Sequence, residues 1–75
     1  MDERIQKVMA AVFGVPVESI TADATPQTVE NWDSLRHMSL VLSLEEEFEV
    51  EFDENQIVEM NSFAAIRSQL EALQS

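Results

Sequence analysis

The chain has 75 residues, no cysteine and a formal net charge of -11, from 15 acidic and 4 basic side chains. This length predicts a single domain over residues 1–75, and the lack of cysteine excludes disulfides and thiolate metal sites. The acidity disfavours nucleic acid and anionic membranes as partners, because their phosphates require Lys and Arg. Basic protein surfaces are the partners that such a charge favours.

Targeting and membrane signals are weak throughout the sequence. The first residues are charged, which is not typical of a signal peptide. No window approaches the roughly 20 apolar residues of a membrane span. The acidic run over residues 45–54 lacks the alternating ligands and turn glycine of a calcium loop. We therefore expect a cytoplasmic monomer with no metal site.

The first predicted element is a helix over residues 2–13, since its apolar residues recur at helical spacing. These residues are Ile5, Val8, Met9, Val12 and Phe13. Gly14 follows the last of them, and Pro16 lies just beyond, so the helix is predicted to end there.

A long segment without clear periodicity follows, over residues 14–33. Loops of this length are uncommon in compact domains and are often functional. Val17, Ile20 and Val29 are spaced apolar residues that we expect to anchor the segment to the core. We also expect one turn of helix within it, and we expect Trp32 to pack the loop against the bundle.

Three further helices are predicted, over residues 34–48, 53–59 and 63–73. Asp53 is placed to cap the third helix, with Gln56 at the capping-box position, and Ser62 is placed to cap the fourth. The predicted inner residues of the fourth helix are Phe63, Ile66, Leu70 and Leu73. The sequence thus predicts an all-α fold, a four-helix up-down bundle with a long first loop and a short third helix.

The second predicted helix carries two apolar faces. At 100° per residue, one face is the core stripe and the other lies roughly opposite. The core stripe consists of Leu40, Val41, Leu44 and Phe48, and the second face consists of Leu35, Met38, Leu42 and Glu46. Either the long loop covers the second face, or this face, edged by the acids at 45–47, is a docking surface for a partner with a basic rim.

The junction between the long loop and the second helix reads Trp32-Asp33-Ser34-Leu35. It is followed by Leu40, Val41 and Leu44, and then by the run Glu45-Glu46-Glu47-Phe48. With these residues, at this spacing, the chain resembles the acyl carrier protein family. The three-letter match at Asp33-Ser34-Leu35 is weak alone, but the spacing to the acidic run, the chain length and the acidity strengthen it.

The resemblance implies that Ser34 receives a 4'-phosphopantetheine arm from coenzyme A, with Asp33 and Leu35 flanking the attachment point. The arm's thiol would then carry acyl groups as thioesters, and a phosphopantetheinyl transferase would supply the catalytic groups. At the start of a helix, the phosphodiester would lie near unpaired backbone N–H groups. The alternative interpretation of Ser34 is an ordinary helix N-cap.

The resemblance also implies a partner surface and an acyl pocket. The residues predicted to bind partners are Leu35, Arg36, Met38, Leu42, Glu45 and Glu46. The residues predicted to line a deformable acyl pocket are Leu44, Ile57, Met60 and Ala64. The expected partners are the transferase and acyl-loading and acyl-processing enzymes with basic docking surfaces, of fatty-acid, polyketide or related biosynthesis.

Three features depart from the common fatty-acid type of this family, the first being Asn31-Trp32, where a small residue pair often precedes the motif. Arg36-His37 replaces an acidic position after the motif, and Ser39 stands where that type often has Glu. These departures leave the carrier role in place and favour a specialised pathway. A degenerate carrier fold acting as a noncovalent regulatory module is the alternative, and a hydrolase using Ser34 and His37 is disfavoured for want of an orienting acid and oxyanion site.

Overall fold

A computed structural model shows the fold and describes residues 2–74. It contains four α-helices: α1 (Asp2–Phe13), α2 (Ser34–Phe48), α3 (Glu54–Glu59) and α4 (Phe63–Gln74). A short 3-10 turn, Val17–Ser19, interrupts the long loop, as predicted. No strand is present between residues 2 and 74, so the predicted all-α four-helix bundle is confirmed. Over the same residues, none of the helices combines the length and apolar character needed to cross a membrane.

The N-termini of the later helices are set by polar side chains. The Asp53 carboxylate accepts the Gln56 N–H at 2.8 Å, and the Gln56 side chain accepts the Asp53 N–H at 2.9 Å. This is the predicted capping box. The Ser62 hydroxyl accepts the Ala65 N–H at 3.0 Å, so Ser62 caps α4 as predicted.

The first two helices end in the same way but with different residues. Gly14 follows α1 with a φ of 67°, and the Val15 N–H bonds back to the Ala10 carbonyl. Glu49 follows α2 with a φ of 54°, and the Val50 N–H bonds back to the Glu45 carbonyl. Both are Schellman-type ends, which require a left-handed residue. Glycine adopts that conformation freely, whereas Glu49 does so under strain.

A single apolar core joins the helices and the long loop. The predicted inner residues of the helices are buried, with three exceptions: Val8 and Val12 of α1 are half-buried against the core, and Leu73 is partly exposed near the end of α4. In the loop, Ile20 and Val29 are buried, whereas Val17 is 37% exposed and does not anchor the segment. Trp32 is buried as predicted, with its ring centroid 5.3 Å from that of Phe13.

All four basic side chains are engaged within the chain. Arg4 bonds Glu47 at 2.9 Å and stacks over the Phe48 ring. The other ion pairs join Lys7 to Glu3 within α1, and Arg67 of α4 to Asp2 of α1 and to Glu71 of α4. Arg36 Nη1 donates to the Val12 carbonyl at 2.8 Å. The cations thus hold helix ends and helix surfaces together, and within the described residues 2–74 the remaining acids form no ion pair.

Candidate functional site

The site begins where the long loop becomes α2. Asp33 is the N-cap of this helix, and its carboxylate accepts the Arg36 N–H at 2.8 Å. Ser34 is therefore the first helical residue rather than the cap, and the N-cap interpretation of Ser34 is wrong. Its side chain is exposed, and its hydroxyl has no hydrogen-bond partner among residues 2–74. The structure leaves this hydroxyl accessible to an approaching enzyme.

Two side chains fix the start of α2 to the end of α1. Asn31 Nδ2 donates to the Phe13 carbonyl at 2.7 Å, and Arg36 Nη1 donates to the Val12 carbonyl. Carbonyls in the last turn of a helix lack intrahelical partners, so both bonds satisfy groups that would otherwise need water. They hold the segment around Ser34 in a defined place relative to the bundle.

The second apolar face of α2 is open to solvent. Leu35 is 81% exposed, Leu42 is 61% exposed and Met38 is 48% exposed. Of the two alternatives for this face, the one in which the long loop covers it is therefore wrong. Val58 of α3 adds another largely exposed apolar side chain. Large apolar side chains that are exposed together often mark interaction sites.

The acids at the end of α2 have three different environments. Glu45 Oε2 accepts the Phe52 N–H at 2.9 Å, and Glu47 pairs with Arg4. The carboxylate of Glu46 is exposed and bonds no other side chain or backbone group within residues 2–74. Of the two acids predicted to bind partners, Glu46 is free to do so, whereas Glu45 supports the link to α3.

His37 connects three parts of the chain. The Trp32 Nε1–H donates to His37 Nδ1 at 3.0 Å, so in the neutral ring the proton lies on Nε2, which is 2.9 Å from the Ile57 carbonyl. Because both ring nitrogens are used, His37 cannot act as the base for Ser34 without breaking one of these bonds. The geometry thus argues against a Ser–His dyad.

An open groove runs beside Ser34 between α2 and α3, with a volume of about 580 Å³. Its lining residues come from the loop, from α2 and from the α3 region; they are Pro26, Trp32, Asp33, Ser34, His37, Met38, Ile57, Val58 and Asn61. The groove is the concave surface nearest to the candidate hydroxyl, since Ser34 is itself part of its wall.

The predicted acyl-pocket residues are divided among three environments. Ile57 lines the groove, whereas Leu44 and Met60 are fully buried in the core. Ala64 is exposed and lines a separate depression with Arg67 and Ser68, so its placement in the pocket is wrong. The buried stripe of α4 consists of Phe63, Ile66 and Leu70, and at 100° per residue Ala64 lies well away from it, so the periodicity of this helix already argued against the assignment.

Sequence reasoning missed Trp32, His37 and Val58 as groove residues. His37 lies three positions after Ser34, a spacing that places neighbours on one helix surface, so that signal was present. The hydrogen bond between His37 and the Ile57 carbonyl could not be predicted from the sequence, because this bond depends on how α3 packs against α2.

Ser34 is an exposed serine without a hydrogen-bond partner in the described residues, and it lies beside a groove at the start of a helix. Such a hydroxyl is suited to covalent attachment of a prosthetic group. The family model described as "Phosphopantetheine attachment site" matches residues 3–70. The chain therefore belongs to this family of carrier domains, as its resemblance to acyl carrier proteins predicted. Members of the family bind 4'-phosphopantetheine covalently.

The residues at the start of α2 fit such a group. A phosphodiester requires a hydroxyl that is accessible and not committed to a hydrogen bond, and Ser34 meets both conditions. The first turn of a 15-residue helix adds a partial positive charge, although the Asp33 carboxylate already accepts one of its N–H groups. The groove leaves space beside the hydroxyl for the arm.

Proposed function

We propose that the chain is an acyl carrier protein in which Ser34 is the residue that bears the 4'-phosphopantetheine arm. The arm supplies a terminal thiol, which holds acyl groups as thioesters. The observation that carries this proposal is the exposed, unbonded hydroxyl of Ser34 at the first position of α2, inside the region that the family model matches. The chain itself serves as carrier and performs no catalysis.

The residues flanking Ser34 have separate roles in this proposal. Asp33 holds the first turn of α2 through its bond to the Arg36 N–H, and so keeps the hydroxyl in place. Leu35, which projects far into solvent, contacts the transferase during attachment. The base and the metal that activate the hydroxyl belong to the transferase.

The partner surface of this carrier is the open face of α2, formed by Leu35, Met38, Leu42 and Glu46. An apolar strip with a free carboxylate suits a partner groove rimmed by Lys or Arg. The predicted partner residues Arg36 and Glu45 are held by Val12 and Phe52, so the proposal does not depend on them. The partners are the transferase and enzymes that load and process acyl groups, in a specialised pathway.

Intact mass after incubation with coenzyme A and a phosphopantetheinyl transferase tests the attachment site. We expect one pantetheine adduct on the unaltered protein and none on Ser34→Ala. Ser39→Ala is the matched control, because Ser39 is another exposed serine of α2. The control should be modified as fully as the unaltered protein.

Two results would contradict this proposal. An adduct that persists in Ser34→Ala would place the arm on another residue. No adduct with several transferases would favour the noncovalent regulatory module instead.

A further inference from the structure

We infer that His37 keeps the interior of this bundle closed to cargo, so that a short acyl group rests in the groove beside Ser34. This inference rests on the proposed function, because it concerns the group that the arm on Ser34 carries. In this role His37 is a positioning residue, which limits the length of the acyl group that the bundle can protect from solvent.

We call the two hydrogen bonds of the His37 ring, to Trp32 and to Ile57, the brace. The brace lies between α2 and α3, where the helices would have to separate to admit a long acyl chain. The ring accepts a hydrogen bond from Trp32 of the loop and donates one to the Ile57 carbonyl of α3. Separating α2 from α3 at this level would break the bond to Ile57 and leave two partly buried polar groups unpaired. The brace thus opposes insertion of cargo between these helices.

The core behind the brace is closely packed. Leu40, Leu44 and Met60 have no exposed surface. Native cores tolerate added volume poorly, because extra methylene groups force side chains from their preferred rotamers. A long chain could enter only by displacing such residues in addition to breaking the brace.

The groove offers a different resting place that requires no separation of helices. Ser34 is part of its wall, and Trp32, Met38 and Ile57 provide apolar surface. Its volume of about 580 Å³ lies within the range of about 300–1,000 Å³ that is typical of small-molecule pockets. A short acyl group on the arm can turn back onto these walls, whereas most of a long chain would extend into solvent.

The experiment compares two cargoes on the full chain. Ser34 is loaded by a transferase from butyryl- or dodecanoyl-coenzyme A, and loading is verified by intact mass. Methyl NMR resonances of Met38 report on the groove and those of Met60 on the core, while Trp32, the only tryptophan, reports by fluorescence. We expect butyryl to shift the Met38 and Trp32 signals relative to the unacylated arm, and neither cargo to shift Met60.

His37→Ala removes the brace and should allow dodecanoyl, but not butyryl, to shift the Met60 resonance. Gln6→Ala is the matched control: Gln6 Nε2 donates to the Ile20 carbonyl at 2.8 Å, a comparable tie between a helix and the loop that lies outside the groove lining. The control should keep Met60 unshifted with both cargoes.

Four results would overturn the inference. Two are read on the unaltered protein, and so do not require His37→Ala to fold: a shift of Met60 with dodecanoyl, and no shift of Met38 and Trp32 with butyryl. The other two are an unshifted Met60 in folded His37→Ala carrying dodecanoyl, and a Gln6→Ala variant that behaves as His37→Ala is expected to. Failure to obtain any loaded protein would instead contradict the proposed attachment at Ser34.

Discussion

The two sides of α2 differ strongly in exposure to solvent. On one side, Leu40 and Leu44 are fully buried against the rest of the bundle. On the other side, Leu35 and Leu42 are mostly exposed, although leucine is the same apolar side chain in both places. Apolar residues on the first side stabilise the fold, and those on the second contribute little to it. The comparison shows that residue type alone does not separate a buried leucine from an exposed one.

The largest expected difference between the two sides is in stability. Leu44→Ala should lower the free energy of unfolding by about 2–5 kcal/mol, because it leaves a cavity in a closed core. Leu42→Ala should change it by no more than about 0.5 kcal/mol, because the side chain is largely exposed. Urea unfolding measures both. Similar losses for the two variants would contradict the division of α2 into a structural and a functional side.

The next effect concerns partner recognition by the exposed side. Leu42→Asp should lower kcat/KM of the transferase for this carrier about tenfold, equivalent to about 1.4 kcal/mol, because it places a charge in an apolar contact. Its unfolding free energy should remain close to that of the unaltered protein. Ala64→Asp adds the same charge at an exposed position of α4 and should leave kcat/KM unchanged. Equal losses in both variants would indicate that net charge, not the α2 face, matters.

A smaller effect, on the free energy of unfolding, is expected at Glu49, which follows the last residue of α2. Glu49 is left-handed, with a φ of 54°, so Glu49→Gly should raise the free energy of unfolding by about 1 kcal/mol. Gly14→Ala is the reverse change at the end of α1 and should lower it by about 1 kcal/mol. An added Cβ at Gly14 would meet nothing within 4 Å, so the change isolates backbone strain. Thermal and urea unfolding should agree, and a less stable Glu49→Gly would refute the strain argument.

The smallest effect is expected from the free acid on the exposed side. Glu46→Gln should slow association with a basic partner about twofold, because rim charges act mainly on the association rate. Glu18→Gln removes the same charge from the long loop and should have less effect on that rate. Stopped-flow association with the transferase measures both. Equal slowing by the two variants would show that the position of the charge is unimportant.

The helices and their caps could be predicted because their signals are local. The spacing of Ile5, Met9 and Phe13 defines a buried stripe, and Asp53 with Gln56 forms a cap within four residues. Val17 and Leu73 were assigned to the core wrongly, because both lie near the ends of their elements. Burial at such positions depends on packing between elements rather than on periodicity.

The candidate site could be predicted only in part, for a similar reason. The position of Ser34 at the start of α2 follows from its neighbours in sequence. The bonds of His37 and Arg36 do not, because their acceptors are the carbonyls of Ile57 and Val12, which are 20 and 24 residues away. Backbone carbonyls carry no residue-type signal, so the sequence could not indicate that these side chains serve as ties.

The engagement of all four basic side chains has a consequence for how fast partners associate. Arg4, Lys7, Arg36 and Arg67 already bond acids or carbonyls of the same chain, so within residues 2–74 no basic side chain is left to balance the unpaired acids. A basic partner replaces mobile ions rather than a resident arginine, and the attraction weakens as ionic strength rises. The salt concentration therefore sets how fast each partner enzyme associates with this carrier, because exposed charges act mainly on the association rate.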